Sequence, residues 1–428
     1  MVAKVSAMVL ISMAIMAAQA QQPAQQQPKS VCNQDITGTG QGDLDAIRGC
    51  KQFYGSITMD SPPVDRLTLD GVEQITGNVL IKGSSSLRSF SAPNLKSVQG
   101  ALTIREHTAL QQLDLPVLQE ATSLTLGVLP ELEKIDFPAG LSKVQDLTIE
   151  DTRASVIGGL KLDSLNKFTL TENNLMNSFD FPVKEVTGEL YVVGNGNNME
   201  FKASELASLQ TGTFRNLGTI NLSGLSHVVS DISFHQNEFT SLHLDNLQDI
   251  GGTVTIANNN KLSETSMKQL SLIGGALSVG NNTQLTSISG YPKLSAVHGT
   301  VDLAGGFDTY ELPALQDVRG GMRIQTTSAK FPCPDAEKKF KASSVVKGSI
   351  WGCKSNMDAN NMDPTIGQGG GGSAGGPTGG MTNKKQNGKS GSSDSTIAQS
   401  GATTTATVSM IQGAYLAVAA GLAFTFGL

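Results

Sequence analysis

The sequence predicts an all-β protein whose folded part is a right-handed parallel β-solenoid with a disulfide-braced cap at each end. Three observations support this prediction. A short apolar pattern returns about every 22 residues, asparagines recur at one position of that pattern, and the four cysteines lie outside it. Aromatic residues (5%) and charged residues (16%) are scarce, whereas glycine, serine, threonine and asparagine are abundant. Such a composition is typical of short strands joined by many turns.

The repeat reads G-x-apolar-x-apolar, then a polar turn, then L-x-x-L-x-L-P-x-L. Because alternating apolar residues bury one face of a strand, a strand that returns at a fixed period can stack in parallel on its copy in the next coil. The first apolar residue of each strand serves as its anchor, and the span from first to last anchor is 322 − 57 = 265 residues, a mean interval of about 22. The anchors are Ile57, Val79, Leu102, Leu124, Leu147, Phe168, Leu190, Phe214, Ile232, Val254, Leu277, Val301 and Met322.

Asparagines mark one turn of the repeat. Asn173, Asn195, Asn237, Asn259 and Asn282 each stand five residues after an anchor. Asparagine adopts the left-handed backbone of tight turns, and asparagines stacked in successive coils can form a hydrogen-bonded ladder of side-chain amides. A structural role in the turn is therefore expected, and a polar ligand-binding stripe is the alternative.

The four cysteines flank the repeats as Cys32 and Cys50 before the first strand and Cys333 and Cys353 after the last. An even number of cysteines in a secreted chain indicates disulfides, and four cysteines allow three pairings. The two local pairings are favoured because each then closes a loop within one end of the chain. The cysteines lack the C-x-x-C spacing of a zinc site.

Cap segments are expected at both ends, because an open solenoid end exposes unpaired backbone and apolar core. Residues 43–49 are predicted to form a short N-terminal cap helix. Residues 335–346 are its predicted C-terminal counterpart, with Ile350 and Trp351 closing the core.

Residues 1–20 are predicted to be a secretory signal peptide. Lys4 precedes an apolar run from Val5 to Ala17, and Ala18-Gln19-Ala20 has the form of a cleavage site. A first transmembrane helix is the alternative, but the run is shorter than the roughly 20 residues that span a bilayer. The folded ectodomain is then expected to occupy residues 21–354.

The C-terminal part of the sequence predicts a stalk and a glycolipid anchor. Residues 355–400, rich in Gly, Ser and Thr, are predicted to be a flexible stalk. Three small residues, Ser400, Gly401 and Ala402, precede a mostly polar spacer and an apolar end, which is the order of a GPI attachment signal. Ser400, or else Gly401, is the predicted attachment residue, and residues 401–428 are the propeptide removed on anchoring. A tail-anchored helix is the alternative.

Other motifs indicate glycosylation more clearly than catalysis. The acceptor triplet N-x-S/T occurs at Asn221 and Asn281. The net charge is 31 − 37 = −6 without basic clusters, which argues against a nucleic-acid partner. No motif indicates a metal, a cofactor or a small-molecule substrate; His235 and His243 fall in one coil and are expected to be surface or turn residues.

An acidic stripe is the feature that would indicate an enzyme. Asp114, Asp136, Asp180 and Asp245 occupy similar places in their coils. Polysaccharide hydrolysis needs two carboxyl groups that face each other across the glycosidic bond. Acids stacked about 5 Å apart would repel each other unless partnered, so a solvated face is the favoured interpretation.

The whole organisation resembles the fungal GPI-anchored cell-wall organisation proteins of the extracellular-mutant and sporulation-specific type, whose repeats are similar to receptor L domains. The resemblance is carried by Asp43-Leu-Asp-Ala-Ile-Arg-Gly-Cys50, Gly55-Ser-Ile-Thr-Met59, Ser89-Phe-Ser-Ala-Pro-Asn-Leu95 and Gly348-Ser-Ile-Trp-Gly-Cys353. It implies a non-enzymatic glycoprotein on the outer face of the plasma membrane and in the wall, required for wall organisation and integrity. Implied partners are the plasma membrane, through the anchor, and wall polysaccharides or wall proteins. The alternatives are a surface receptor or adhesin that binds a glycan or peptide, and a wall polysaccharide-modifying β-helix enzyme.

Overall fold

The computed structural model describes residues 30–368. The predicted signal peptide, the attachment residues Ser400 and Gly401, residues 401–428 and the predicted stalk beyond Gln368 lie outside the described residues. Among the described residues, the chain forms a parallel β-solenoid of about 13 turns with little helix, as the repeat predicts.

One large parallel sheet runs the length of the solenoid, and each coil contributes its main strand to it. Main strands from neighbouring coils pair in register, for example Val254 with Leu277 and Leu277 with Val301. The main strands are Ile36–Gly38, Ile57–Asp60, Val79–Lys82, Ser97–Arg105, Glu120–Leu129, Asp146–Thr152, Ser164–Thr171, Glu185–Val193, Ser208–Arg215, Ile232–His235, Val254–Ala257, Leu277–Gly280, Val301–Gly305, Met322–Thr326 and Trp351–Lys354. Two-residue strands extend the same sheet at one side: Gln52–Phe53, Gln74–Ile75, His227–Val228, Asp249–Ile250, Leu272–Ile273, Ala296–Val297 and Asp317–Val318.

A second row of shorter strands forms the opposite wall of the core. The rings of Phe168, on a main strand, and Phe179, on a second-row strand, stack with centroids 5.7 Å apart across the interior. The second-row strands form five small parallel sheets. They are Arg66–Thr68, Ser89–Ser91 and Gln112–Asp114; Lys134–Leu141 and Val156–Leu160; Ser178–Asp180, Met199–Lys202 and Leu217–Asn221; Ser241–His243 and Glu264–Ser266; and Ser287–Ile288 and Thr309–Tyr310.

One continuous apolar core runs from Leu44 to Phe340 and includes all thirteen residues predicted as anchors. The anchor assigned to Phe214 is wrong. Leu190 pairs with Gly212 and Gly212 with Ile232, so the anchor position of this coil is Gly212, while Phe214 pairs with Val192. A Cβ on Gly212 would lie 3.1 Å from the Phe214 ring and 2.7 Å from the Leu209 side chain. The large ring therefore fills the space that an anchor side chain occupies elsewhere.

The glycine that opens the repeat is required by the close approach of stacked backbones. A Cβ on Gly299 would lie 2.6 Å from the Gly275 carbonyl oxygen, and a Cβ on Gly320 would lie 2.5 Å from the Gly299 carbonyl oxygen. Real Cβ atoms do not come that close to backbone. Larger residues at these positions would push neighbouring coils apart.

The asparagine turn combines two positions whose roles the sequence did not separate. In each of these turns the residue with the left-handed backbone is the one just before the ladder asparagine, as at Glu172 (φ +57°), Asn258 (φ +60°) and Asn281 (φ +53°). The prediction that the asparagines themselves take this backbone is therefore wrong. The predicted ladder is confirmed, because all five asparagines are buried and bonded to neighbouring coils.

The asparagine ladder links coils through paired hydrogen bonds. Asn237 donates its backbone N–H and its side-chain Nδ2 to Oδ1 of Asn259, at 2.9 and 3.0 Å, and Asn259 donates the same two groups to Asn282. Each Nδ2 also reaches a main-strand carbonyl, such as Phe234 for Asn259 at 3.0 Å. Leu217 fills the position between Asn195 and Asn237 and divides the ladder in two.

Both local disulfides are confirmed. Cys32–Cys50 and Cys333–Cys353 join Cα atoms 5.5 and 5.6 Å apart. The N-terminal cap helix is Gln41–Asp45, which starts earlier and ends earlier than predicted, and Leu44 packs from it into the core.

The C-terminal cap consists of an α-helical turn, Cys333–Ala336, followed by a π-helical segment, Glu337–Ala342, that buries Phe340. Trp351 is partly buried and packs against the core as predicted. The prediction that Ile350 closes the core is wrong, since 54% of its surface is exposed.

The folded chain extends beyond residue 354, the predicted end of the ectodomain. Residues 355–368, here called the strap, include a short 3-10 turn, Ala359–Asn361, and turn back over the main sheet. Backbone N–H groups of Asn356 and Met357 donate to the carbonyls of Ser328 and Thr326, at 2.9 and 3.1 Å. Ile366 is 4% exposed. These contacts order a segment whose composition alone indicated flexibility.

A buried histidine occupies the ladder position near the N-terminal end. His107 is fully buried, and its Nδ1 accepts a hydrogen bond from the Ser84 amide at 3.2 Å. Its Nε2 is also buried, and it has no hydrogen-bond partner among the described residues. Burial lowers the pKa of His107, and the nearby Ile81 carbonyl only partly opposes that shift.

His107 should make the fold sensitive to acid. Its pKa in the folded state lies below the ordinary value of 6.5, so protonation favours the unfolded chain. The His107 contribution to the free energy of unfolding should fall as the pH drops below 6.5, by at most about 1.4 kcal/mol per pH unit, and level off below the folded pKa. Replacing His107 with asparagine should remove this component, because an amide oxygen can accept the Ser84 N–H without titrating.

Urea unfolding of the wild type and His107→Asn at pH 7.5 and pH 5 measures this component. The wild type should lose more stability between the two pH values than the variant does. Equal losses would show that His107 is not the acid-sensitive group.

Candidate interaction surface

The outward side of the main sheet carries a regular column of hydroxyl groups. In most main strands one outward residue lies between two inward apolar residues, and strand pairing aligns these outward residues from coil to coil. This hydroxyl column consists of Thr37, Thr58, Leu80, Thr103, Thr125, Thr148, Thr169, Tyr191, Thr213, Ser233, Thr255, Ser278, Asp302 and Arg323. Every member carries a hydroxyl except Leu80, Asp302 and Arg323. Neighbouring members are separated by the inter-strand distance of about 4.8 Å.

Threonine suits this place for two reasons. Its β-branched side chain favours the extended backbone of a strand, and its hydroxyl tolerates water on the outer face. Members of the column can also bond to each other, as Ser233 Oγ does to Thr213 Oγ1 at 3.3 Å. From Thr58 to Ser233 the column is half-buried and open to solvent.

The strap covers the C-terminal end of this column. Thr255, Ser278 and Asp302 are 5%, 2% and 7% exposed. Backbone meets backbone here, since a Cβ on Gly367 would lie 2.5 Å from the Val279 carbonyl oxygen, and Gly367 has φ +80°. The outer face of the main sheet therefore already accommodates a segment of chain that crosses several coils.

A charged pair lies at the covered end of the column. Arg323 donates from Nε and Nη2 to the two carboxylate oxygens of Asp302, at 2.7 and 2.6 Å. The hydrogen bonds from Arg323 to Asp302 raise the pKa of the guanidinium above its ordinary value. The fork-like geometry links the coils of the strands Val301–Gly305 and Met322–Thr326.

The predicted acidic stripe does not form a catalytic pair. Asp114 accepts from Ser91 Oγ at 3.0 Å, Asp136 lies 3.1 Å from Lys134 Nζ, and Asp180 lies 3.8 Å from Lys202 Nζ. Asp245 is not in the same position as the others, because it follows the strand Ser241–His243 that corresponds to theirs. It is bonded to Ser266 and to Lys268 Nζ.

Among residues 30–368, every carboxyl group whose pKa departs from its ordinary value is more acidic. Asp60, Glu73, Asp245, Asp308 and Asp363 have a lowered pKa. For Asp245, partial burial works to raise the pKa, but the hydrogen bonds from Lys268 and Ser266 outweigh it. A general acid for glycoside hydrolysis needs the opposite shift.

The two histidines of one coil have different environments. His243 is exposed at the end of its strand, whereas His235 is half-buried. Burial and the nearby Arg215 charge lower the pKa of His235. Residues 30–368 contain no group of three or more His, Cys, Asp or Glu side chains placed to hold a metal ion.

Both glycosylation triplets lie at the surface. Asn221 is exposed at the end of the strand Leu217–Asn221, and its Oδ1 accepts from the Ser223 amide at 3.0 Å. Asn281 is exposed in the asparagine turn, one residue before the buried Asn282.

Sequence reasoning missed both the hydroxyl column and the strap. The column is visible in the sequence as threonine between two apolar residues, as in Leu102-Thr-Ile104 and Val254-Thr-Ile256. The strap has no comparable signal, because its contacts come mainly from backbone groups and one buried isoleucine.

Within residues 30–368 there is no helix with the length and apolar character that a membrane crossing requires. The described part is a capped β-solenoid with one long polar face and a strap across the end of that face.

Comparison with known proteins places this solenoid among fungal surface proteins. The chain is 30% identical to Protein ecm33 of Aspergillus fumigatus over 342 residues, which cover 80% of this chain and 84% of that protein. It is 32% identical to a cell surface GPI-anchored protein of Arthroderma benhamiae, covering 74% of this chain and 82% of the relative. It is 30% identical to cell wall protein ecm33 of Schizosaccharomyces pombe, with 74% and 75% covered.

The chain belongs to the family of ecm33-type fungal cell-wall and GPI-anchored cell-surface proteins. Its location is accordingly the cell wall and the outer face of the cell membrane. No model of a known protein family matches the chain, and no solved structure matches it.

Proposed function

We propose that this protein is a non-enzymatic, GPI-anchored surface glycoprotein required for the organisation and integrity of the fungal cell wall. The observation that carries the proposal is its relationship, over most of the chain, to proteins named as cell-wall and GPI-anchored surface proteins. The absence of an enzymatic role is supported by the acidic residues, which have individual hydroxyl or lysine partners and lowered pKa values where these are shifted.

The proposed partner of the solenoid is a wall polysaccharide that lies along the hydroxyl column. A linear polysaccharide presents hydroxyl groups at regular intervals and carries no charge, and the open part of the column presents one hydroxyl in most coils. Serine and threonine suit such a ligand because a neutral hydroxyl can both donate and accept a hydrogen bond, directly or through a bridging water. The strap supports this proposal, since a segment of the chain already lies across several coils of the same face.

A receptor or adhesin for a glycan or peptide is the second candidate function. The same hydroxyl column favours it, because a flat face on a solenoid can bind a ligand without any fixed motif. The two functions differ in whether loss of the protein weakens the wall.

Deletion of the gene should increase sensitivity to wall-perturbing dyes, and the wild-type gene should restore growth. A gene with Thr125→Val, Thr148→Val and Thr169→Val should restore it poorly. Valine keeps the β-branched shape but removes three hydroxyls, at about 1 kcal/mol each, so binding to insoluble wall glucan should weaken by more than about tenfold.

The matched control replaces three exposed threonines at or beside the second row of strands, Thr219, Thr240 and Thr286, with valine. This variant should complement and bind as the wild type does. Unchanged dye sensitivity in the deletion strain would contradict the wall-integrity role, and release of soluble sugar from the glucan would contradict the non-enzymatic one.

We also propose GPI attachment at Ser400, or at Gly401, and N-glycosylation at Asn221 and Asn281. A phosphatidylinositol-specific phospholipase should release the wild-type protein from intact cells. Replacing both Ser400 and Gly401 with leucine should abolish that releasable pool, because bulky residues block attachment. Continued release from the double variant would place the attachment residue elsewhere.

A further inference from the structure

A groove of about 720 Å³ lies between the strap and the asparagine turns of the last coils. Its walls include Asn258 and Asn281 from two successive turns, Ala304 from the main sheet, and Met362, Asp363 and Ile366 from the strap. Its volume is within the range of about 300–1,000 Å³ that is usual for small-ligand sites. One of the two glycosylation acceptors therefore forms part of the wall of the groove.

The acceptor side chain of Asn281 is held in place at this wall. Its Nδ2 donates to Asn258 Oδ1 at 2.7 Å, and Asn258 Nδ2 donates to Gln368 Oε1 on the strap at 2.9 Å. The side chain of Asn258 thus links Asn281 to the strap. An N-linked Nδ2 keeps one N–H, so a glycosylated Asn281 retains a donor for Asn258.

The rest of the acceptor triplet is locked in the folded coil. Asn282 is buried in the ladder, and Thr283 Oγ1 donates to the Asn260 carbonyl at 3.0 Å. Transfer of a sugar to Asn281 would therefore have to precede the folding of this coil. The strap follows Asn281 in the chain, so it would then dock onto a turn that already carries the sugar.

The lining of the groove suits an amino sugar. Asp363 is a carboxylate that can accept from sugar hydroxyls, and hydrogen bonds from the Thr365 amide and hydroxyl, at 2.9 and 2.7 Å, stabilise its charge. Asn258 supplies an amide, while Met362, Ile366 and Ala304 supply apolar surface. An N-acetylhexosamine has hydroxyls, an amide and an apolar ring face, which match these three kinds of contact.

We propose that the strap groove is a saccharide site, occupied by the first N-acetylhexosamine residues of an N-linked glycan on Asn281, and that this glycan holds the strap on the main sheet. The inference rests on the glycosylation of Asn281 proposed above. Transfer joins C1 of the oligosaccharide to Nδ2; the amide loses one proton, and the lipid diphosphate of the lipid-linked donor leaves.

The glycan then determines where the chain departs from the solenoid. The strap begins after the last main strand, Trp351–Lys354, and reaches Asn258, in the coil of the strand Val254–Ala257. With the strap docked, the chain leaves from the side of the solenoid and not from its end.

The test uses the full chain expressed in a fungal host and extracted from cells. Mass spectrometry of glycopeptides should find Asn281 occupied. Amide hydrogen exchange of residues 355–368 should be slower in the wild type than in Thr283→Ala, which removes the acceptor triplet, by on the order of tenfold. Trimming to a single N-acetylhexosamine should preserve part of the protection, whereas complete removal of the glycan by an amidase should not.

Two control variants separate the glycan from the fold. Thr283→Ser keeps both the triplet and the hydroxyl bond to Asn260, and it should behave as the wild type. Ser223→Ala removes the triplet at Asn221, away from the groove, and should leave exchange of the strap unchanged. The glycosylation proposal fails if Asn281 is unoccupied. The groove proposal fails on its own if Asn281 is occupied and the strap exchanges equally fast, or faster, in the wild type than in Thr283→Ala.

Discussion

The stacking of each coil on the next, through hydrogen bonds between residues about 22 positions apart, is the interaction on which this structure depends. A single coil has too little apolar surface to fold, and its backbone donors and acceptors find partners mainly in neighbouring coils. This constraint explains three features together. Glycines allow the backbones of stacked coils to approach closely at Gly275 and Gly299. Asparagines such as Asn237 and Asn259 form hydrogen bonds between successive turns. The outward hydroxyls align from coil to coil because the strands that carry them pair in register.

The same constraint explains how much of the fold the sequence revealed. A stacked coil must repeat its inward residues at a fixed period, so the anchors, the strands and the asparagine ladder are legible in one sequence. Phe214 misled the prediction because its ring replaces an anchor side chain at Gly212, which only the packed core can show. Ile350 lies beyond the last anchor of the repeat, and Asp245 lies two residues after the strand Ser241–His243, so residue type alone indicated neither the exposure of the first nor the register of the second. The strap was missed because backbone-to-backbone contact leaves no apolar pattern.

The candidate site was less predictable than the fold for a related reason. Inward residues are constrained by packing, whereas outward residues on a solenoid face are constrained only by water, strand propensity and whatever binds them. The threonines of the hydroxyl column can be seen in the sequence. Their alignment, however, depends on the register of the paired strands, in which Thr125 lies beside Thr148. The closed end of that face, with Asp302 and Arg323 beneath the strap, could be recognised only from three-dimensional contacts.

The central claim, that paired bonds between coils hold this fold together, is tested most directly at Asn259. Asn259→Ala would leave the buried Asn237 backbone N–H without its acceptor, and a buried unsatisfied group costs about 1–3 kcal/mol. It would also take one hydrogen bond from each of the Asn237 and Asn282 side chains and remove the amide donor to the Phe234 carbonyl. Asn246→Ala removes a comparable but exposed bond, to the Ser223 carbonyl, and serves as the control. Urea unfolding should show a loss of about 3 kcal/mol or more for Asn259→Ala and less than about 1 kcal/mol for Asn246→Ala. Equal, small losses would contradict the account.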